Sequence, residues 1–340
     1  MVKVFFVHPM WQKGGVETTN TRWASILADK NVRSIALTHS PKVDVISNME
    51  KQICKSLAHI FFWLMHKAKR DDIILLCQSY YLIKIFPFLV VLKIRGCRIV
   101  LTERNSFDQY GDYPIKRWIY GKAYPHLFRV FDAIIVNSED MAREFVFNYT
   151  KDKTTVFKNP RFSEADLKKL KKHKPVSCGS KVYTFCRWST QKDPEFMIAA
   201  DKVFSNHRIE FNVYCGRNEY SFQKPFAKSA FYFMMEDPNI LLFCSKFEGF
   251  PNLLLEARVA GLPIIFSRCN TGVEELLHDY DLAFEFVKGS DESLLSAYKN
   301  AVRASTGAIC KPDIISAEKH SVAAANTDDF LVALLGHGVV

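Results

Sequence analysis

Short runs of apolar residues, each followed by a polar or glycine-bearing turn and then a stretch with helical spacing, recur along the whole chain. In the first half Lys3–Val7, Arg33–Thr38, Asp72–Cys77, Arg98–Thr102 and Ala133–Asn137 read as strands. In the second half Lys181–Cys186, Ile209–Cys215, Ile240–Cys244, Leu262–Phe266 and Leu282–Phe286 do so. Between them, residues 16–29, 57–69, 79–92 and 194–204 read as helices, and Ser138 is placed to cap another. Strands alternating with helices predict doubly wound parallel sheets. Two such series in 340 residues predict two domains, each long enough to bury its own core.

The polar stretch 162–176 carries Lys168, Lys169, Lys171, Lys172 and Lys174 and reads as a solvated helix between the domains. The expected division is therefore an N-terminal domain over 1–162, a linker over 163–180 and a second domain over 181–340, with terminal helices within 316–335.

Composition narrows the chemistry. The nine cysteines are scattered, and no Cys-x-x-Cys pair occurs, which argues against zinc and a disulfide framework and for a reducing, cytoplasmic setting. The chain enters its first strand directly, with no leader-like segment, and no apolar run reaches membrane-spanning length. A formal charge of +10 admits nucleic acid, an anionic membrane surface or a phosphorylated substrate as partner. No helix-turn-helix, zinc-finger or RNP pattern supports nucleic acid.

The stretch Ser245-Lys-Phe-Glu-Gly-Phe-Pro-Asn-Leu-Leu-Leu-Glu256 lies between two strands and carries two acids, Glu248 in a turn and Glu256 on a short helix. Asn252 is placed as the N-cap of that helix and Gly261 at its end. Such a turn would offer carboxylates to hydroxyl groups and the backbone N–H groups of Gly249, Phe250 and Asn252 to oxygens of a polyhydroxylated ligand. Upstream, Arg187-Trp-Ser-Thr-Gln-Lys192 follows a strand and precedes a helix; two cations in such a turn suit a diphosphate, which Arg grips bidentately and Lys meets as a point charge.

Ser-x-x-Glu-Gly-Phe-Pro-Asn-x-x-x-Glu-Ala followed by Gly-Leu-Pro resembles the donor-sugar motif of glycosyltransferase family 4, the retaining GT-B enzymes. Arg187 and Lys192 match the family's diphosphate-binding pair, with Cys186 where a Gly is usual. The resemblance implies two Rossmann-like domains facing a cleft and terminal helices packing back on the first. It also implies Glu248 beside the donor sugar, Glu256 on the nucleotide ribose, and a UDP- or GDP-sugar donor with no cofactor and no metal. Gly216, closing a strand, and Gly14-Gly15, opening the first helix, fit the family's ligand-facing turns; a plain tight turn is the other reading of the glycine pair. Asn270-Thr-Gly-Val-Glu-Glu-Leu276 resembles the next phosphate-side loop and helix. Only residues 217–244 separate Gly216 from the donor motif, fewer than the family usually places there, so the base side of the pocket is either missing or rebuilt within 218–235.

In the first domain, Leu101-Thr-Glu-Arg-Asn-Ser106 resembles the Ser-Glu-Arg-Asn variant of relatives that build bacterial surface polysaccharides. This makes Glu103 the acceptor-side candidate, beside Arg104 and Asn105; the other reading is a capped strand end with a local ion pair. The implied reaction is retaining transfer of a sugar to an acceptor hydroxyl. The implied acceptor is a lipid-linked or growing glycan of lipopolysaccharide, O-antigen or capsule, met at the cytoplasmic face of an inner membrane through a peripheral contact. The alternatives are an inactive GT-B subunit that binds a nucleotide or a partner and, less consistent with the turn sequences, a sugar-nucleotide epimerase.

Overall fold

The computed structural model describes residues 2–11, 15–40, 49–144, 147–227, 229–269, 272–306, 309–321 and 328–336. The chain divides into two compact units: residues 1–161 with 320–340, and residues 162–319.

The first unit begins β1 (Lys3–Val7), α1 (Gly15–Asp29), β2 (Arg33–Thr38), β3 (Met49–Ile53), α2 (Leu57–Lys67), β4 (Ile73–Leu76), α3 (Leu82–Ile94) and β5 (Arg98–Thr102). It continues with α4 (Pro114–Leu127), β6 (Ala133–Val136), α5 (Glu139–Arg143) and β7 (Thr154–Val156). Its strands form one parallel sheet in the order β3-β2-β1-β4-β5-β6-β7. Both faces are covered, which is why the central strands β1, β4, β5 and β6 are largely apolar. On β1, Phe5 and Val7 pack with Phe61 and Leu64 of α2, while Val4 and Phe6 pack with Trp23 of α1. Strand β4 divides likewise, Ile74 and Leu76 to one face and Ile73 and Leu75 to the other.

The second unit holds α6 (Glu164–Lys172), β8 (Val176–Ser177), β9 (Val182–Phe185), α7 (Pro194–Asn206), β10 (Phe211–Tyr214), β11 (Gln223–Lys224), α8 (Ala230–Glu236) and β12 (Ile240–Phe243). It ends with α9 (Asn252–Val259), β13 (Ile264–Phe266), α10 (Val273–Leu277), β14 (Ala283–Glu285), α11 (Asp291–Ser305), β15 (Ile309–Cys310) and α12 (Ile314–Lys319). Its main sheet is parallel in the order β11-β10-β9-β12-β13-β14, and β8 pairs antiparallel with β15. The lysine-rich stretch expected to link the domains is a helix within this unit. Ser163 and Asp166 form a capping box at its start, Leu170 is buried, and Lys171 pairs with Glu318 of α12 at 2.7 Å. A last helix, α13 (Asp328–Leu335), belongs to the first unit, where Phe330 stacks on Phe157 and packs against Trp23.

Four short strands escaped the sequence reading. Strand β3 is a polar edge strand, Met49-Glu-Lys-Gln-Ile53, and its neighbours 41–48 lie outside the described residues. Strands β8, β11 and β15 have two residues each, too short for any periodicity. All nine cysteine thiols are free. Among the described residues no helix is long and apolar enough to cross a membrane.

Candidate functional site

In both sheets the strand order reverses at the first strand, between β1 and β4 and between β9 and β12. Helices on either side of such a point diverge and leave a crevice beyond the carboxyl ends of the strands.

In the second unit, β9 runs into Cys186 and Arg187, a single 3-10 turn over Thr190–Lys192 and then α7. Asp193 takes a left-handed backbone, φ 56°, and its carboxylate accepts from the Phe196 amide to cap α7, with Pro194 at the first helical position. Strand β12 runs into the turn 245–251 and then α9. The two turns are tied together. The Lys246 amide donates to the Gln191 carbonyl at 2.8 Å, and Gln191 Nε2 donates to the Phe247 carbonyl at 3.1 Å and to Glu248 Oε2 at 3.2 Å. Lys192 Nζ forms an ion pair with Glu248 Oε1, so partners from the facing turn engage both carboxylate oxygens. Glu248 is 7% exposed, and the low-dielectric surroundings strengthen the pair.

Lys192 and Glu248 are therefore brought together, as the sequence placed them near one ligand. Arg187 lies on the same turn, exposed, and makes no ion pair among the described residues. Glu256 is buried on α9, one turn after Asn252. The expected capping differs: Pro251 occupies the N-cap with no side-chain cap bond, and Asn252 is the first helical residue. The pyrrolidine ring fixes the approach of the chain, so the helix starts without the Asn side chain. The Phe250 side chain is buried in the core of the unit, which leaves its backbone and that of Gly249 to shape the turn. Gly272 has φ 71°, and a Cβ there would stand 2.8 Å from Pro251 Cδ; the loop before α10 is thus pressed against the Gly-Phe-Pro turn. Asn270 and Thr271 lie outside the described residues.

Cys186, where the family motif has Gly, is half-buried; burial pushes its thiol up to about 12, so it stays protonated and packs as an apolar side chain. The short stretch after Gly216 is compacted rather than empty. Strand β11 pairs parallel with β10, and α8 follows with Phe231, Met234 and Met235 buried. Gly216 itself has φ 69°, and a Cβ there would lie 2.4 Å from the Phe226 ring.

The sequence reading missed Lys288. Its Nζ donates to Asp193 Oδ2 at 2.6 Å and to the Cys244 carbonyl at 2.6 Å, tying the loop after β14 to those after β9 and β12. The signal was available: Lys288 follows a strand end, as the other site residues do. Gln191 was missed because a neutral side chain in a turn carries no sequence signature.

In the first unit, Glu103 at the end of β5 is buried. Its carboxylate accepts from the backbone amides of Ser79 at 2.9 Å, Arg104 at 2.9 Å and Asn105 at 3.2 Å. Burial raises its pKa against the lowering effect of those amides. The geometry is that of a capped strand end, and the local ion pair does not form. Arg104 turns instead to Thr102 Oγ1 at 2.9 Å and Asn159 Oδ1 at 2.6 Å, with its guanidinium 4.4 Å from the centre of the Trp23 ring. Burial lowers the Arg104 pKa to about 10, which leaves it charged at neutral pH. At the end of β1, His8 Nε2 lies 3.0 Å from Glu17 Oε1 on α1. Gly15 is the first residue of α1, and Gly14 lies outside the described residues. No group of three or more His, Cys, Asp or Glu among the described residues is arranged to hold a metal.

No protein-family model matches the sequence, and no curated protein matches it. Solved structures do match over almost the whole chain. Sucrose-phosphate synthase from Thermosynechococcus elongatus aligns with TM-score 0.70 and 11% identity, covering 98% of this chain and 97% of its own. WaaG, a glycosyltransferase involved in lipopolysaccharide biosynthesis, aligns with TM-score 0.65 and 15% identity over 99% and 98%. A TarM variant from S. aureus, crystallised with fondaparinux, α-GlcNAc-glycerol and UDP, aligns with TM-score 0.67 and 10% identity over 98% and 96%. With its two parallel sheets of seven and six strands, this chain has the GT-B fold of those glycosyltransferases.

Proposed function

We propose that the chain is a retaining, metal-independent glycosyltransferase of the family 4 type, moving a sugar from a nucleotide diphosphate donor to an acceptor hydroxyl. The observation that carries this reading is the meeting of Lys192 and Glu248 at the switch point of the second sheet, with Arg187 on the same turn. As the bond from the anomeric carbon to the diphosphate breaks, negative charge grows on the leaving diphosphate, and the acceptor hydroxyl oxygen bonds to that carbon while its proton passes to the departing diphosphate oxygen. Arg187 and Lys192 stabilise it; Glu248 orients sugar hydroxyls and favours positive charge at the anomeric carbon. Glu256 holds the ribose. In the first unit, Glu103 fixes the backbone of 103–105 on the acceptor side.

The donor is a UDP- or GDP-sugar, as the UDP crystallised with TarM supports. The acceptor is a lipid-linked or growing glycan of a bacterial surface polysaccharide, as the lipopolysaccharide role of WaaG supports, met at the cytoplasmic face of the membrane. A second reading, a GT-B subunit without transfer activity that binds a nucleotide or a partner, has one observation in its favour: Phe226 lies against Gly216, a position expected to face the donor. Incubation with a panel of UDP- and GDP-sugars, scoring release of nucleoside diphosphate with and without glycan acceptors, separates the two. Release with at least one donor supports transfer; nucleotide binding with no release from any donor supports the second reading.

A further inference from the structure

Two of the nine free cysteines come together at the small antiparallel sheet of the second unit. Cys310 ends β15 and faces Val176 of β8 across the pair. Cys178 is the second residue after Val176, so it lies on the same face as Cys310, as its diagonal neighbour. Both side chains belong to one hydrophobic cluster, Cys310 buried and Cys178 half-buried.

Each cysteine is fixed from outside the pair. After Cys178, the Gly179 amide donates to the Pro238 carbonyl at 2.8 Å, and a Cβ on Gly179 would stand 2.1 Å from Asn239 Oδ1. That oxygen accepts from the Lys181 amide at 3.2 Å. After Cys310, the chain is pressed on the end of α9: a Cβ on Gly261 would stand 2.4 Å from the Lys311 carbonyl oxygen, and the Asp313 amide donates to the Val259 carbonyl at 2.8 Å. Two separately anchored segments thus bring the thiols to one spot.

The two thiols are unlike. Cys178 is held below the usual thiol range, first by a hydrogen bond from the Cys310 thiol and against the opposing effect of burial. The same hydrogen bond, together with burial, pushes Cys310 up, so it keeps its proton. Cys54, Cys77, Cys97, Cys186, Cys215 and Cys244 are all pushed up by burial. A thiolate beside a protonated thiol is the arrangement of an attacking and a resolving sulfur.

We propose that Cys178 and Cys310 form a peroxide-sensitive dithiol, Cys178 the attacking sulfur and Cys310 the resolving one, which closes into a disulfide across β8 and β15. The Cys178 thiolate attacks an oxygen of hydrogen peroxide and the O–O bond breaks. The sulfur is oxidised to a sulfenic acid, and hydroxide leaves and takes up a proton as water. The Cys310 sulfur then bonds to Cys178, the S–O bond breaks, and a second water leaves with the Cys310 proton. Two thiols give up two electrons to one peroxide, and a dithiol reductant reverses the change. In a reducing setting such a bond is transient and serves as a sensor. Strand β8 follows α6, the first helix of the second unit, and β15 precedes α12, its last; Lys171 and Glu318 already join these helices. The disulfide clasps these entering and leaving segments covalently and closes the long loop from 178 to 310. The inference stands whether or not the chain transfers a sugar.

The test is mass spectrometry of the full chain, reduced, treated with a few equivalents of hydrogen peroxide and then alkylated in denaturant. The wild type is expected to fall from nine alkylated thiols to two fewer, with one peptide pair joined through Cys178 and Cys310, and to regain all nine after dithiothreitol. The oxidised form is expected to melt several degrees higher. Cys310→Ser is expected to stop at the Cys178 sulfenic acid, which dimedone traps, and Cys178→Ser to keep its remaining thiols at the same dose. The wild type supplies the deciding readout, so a variant that does not fold leaves the inference falsifiable. Retention of all nine thiols by the wild type overturns the proposal, as does a disulfide joining any other pair. Dimedone on Cys310 in the Cys178→Ser variant overturns the assignment of the attacking sulfur, and a joined form that melts no higher overturns the clasp.

Discussion

Lys192, closing the turn after β9, forms an ion pair with Glu248 in the turn after β12. Each side chain is the other's charged partner at the strand ends, and Gln191 holds the second carboxylate oxygen. Removing one partner takes from the other its opposite charge in a largely buried pair, so the losses should not add. We expect Lys192→Met and Glu248→Gln each to destabilise the fold, and the double variant to cost less than the sum by about 0.5–3 kcal/mol. Urea unfolding of the four proteins gives the coupling directly; strict additivity would mean the pair carries no energy.

Nucleoside diphosphate should raise the melting temperature with EDTA present. At about 100 times its dissociation constant a ligand adds roughly 2.7 kcal/mol. Arg187→Ala/Lys192→Ala should abolish the shift, since Arg187 is exposed on the same turn and Lys192 is its neighbouring cation. A shift that survives in the double variant would place the diphosphate elsewhere.

The two glutamates should separate in kinetics. Ribose hydroxyls are held alike in ground and transition states, so Glu256→Ala should raise the donor KM more than it lowers kcat. Glu248→Gln removes charge next to the reacting sugar and should lower kcat about tenfold to a thousandfold, with little change in nucleoside diphosphate affinity by calorimetry. Intact turnover in Glu248→Gln would contradict the role given to this motif.

Lys288 should behave as a positioning residue. It touches Asp193 and the Cys244 carbonyl, and acts on the 187–192 turn only through them. Lys288→Met should weaken nucleoside diphosphate binding about tenfold, roughly the loss of one charge-assisted hydrogen bond, and Lys288→Arg should restore most of it. Equal affinity in Met and Arg variants, both weak, would point to packing rather than the cation.

Glu144 offers a pH signature in the first unit. It accepts from the Phe107 amide at 2.9 Å, and burial raises its pKa from 4.5 to about 7. The folded chain then holds a proton that the unfolded chain has released between those values. The stabilisation is present in full below pH 4.5 and is lost as pH rises toward 7, at up to about 1.4 kcal/mol per pH unit. Glu144→Gln keeps an acceptor for Phe107 and does not titrate. The stability difference between wild type and variant should therefore change across that window, to the disadvantage of the wild type as pH rises. A constant difference would show that Glu144 ionises as an ordinary carboxylate.

Much of this architecture is written in local pattern. Strands buried on both faces are apolar at most positions, so β1, β4, β5, β6, β9 and β12 are visible without any partner in view. Ser138 announces a helix start because capping is a contact within a few residues. The spacing from Glu248 to Glu256 and from Arg187 to Lys192 places each residue on a named turn or helix, since a turn and a helix start are set by their own glycines and prolines. What lies beyond that depends on contacts between distant segments. Which residue meets Lys192 is decided by the parallel pairing of β9 with β12, which brings positions 56 apart into one ion pair. Lys288 reaches Asp193 across 95 residues for the same reason. Asn252 yields the N-cap to Pro251, and Glu103 turns its carboxylate to three amides, one of them 24 residues away. Helix α4 is not read from the sequence at all, and the exposure of Ile115, Trp118 and Ile119 on it is a tertiary fact, because exposure is a property of what surrounds a side chain and not of the side chain itself.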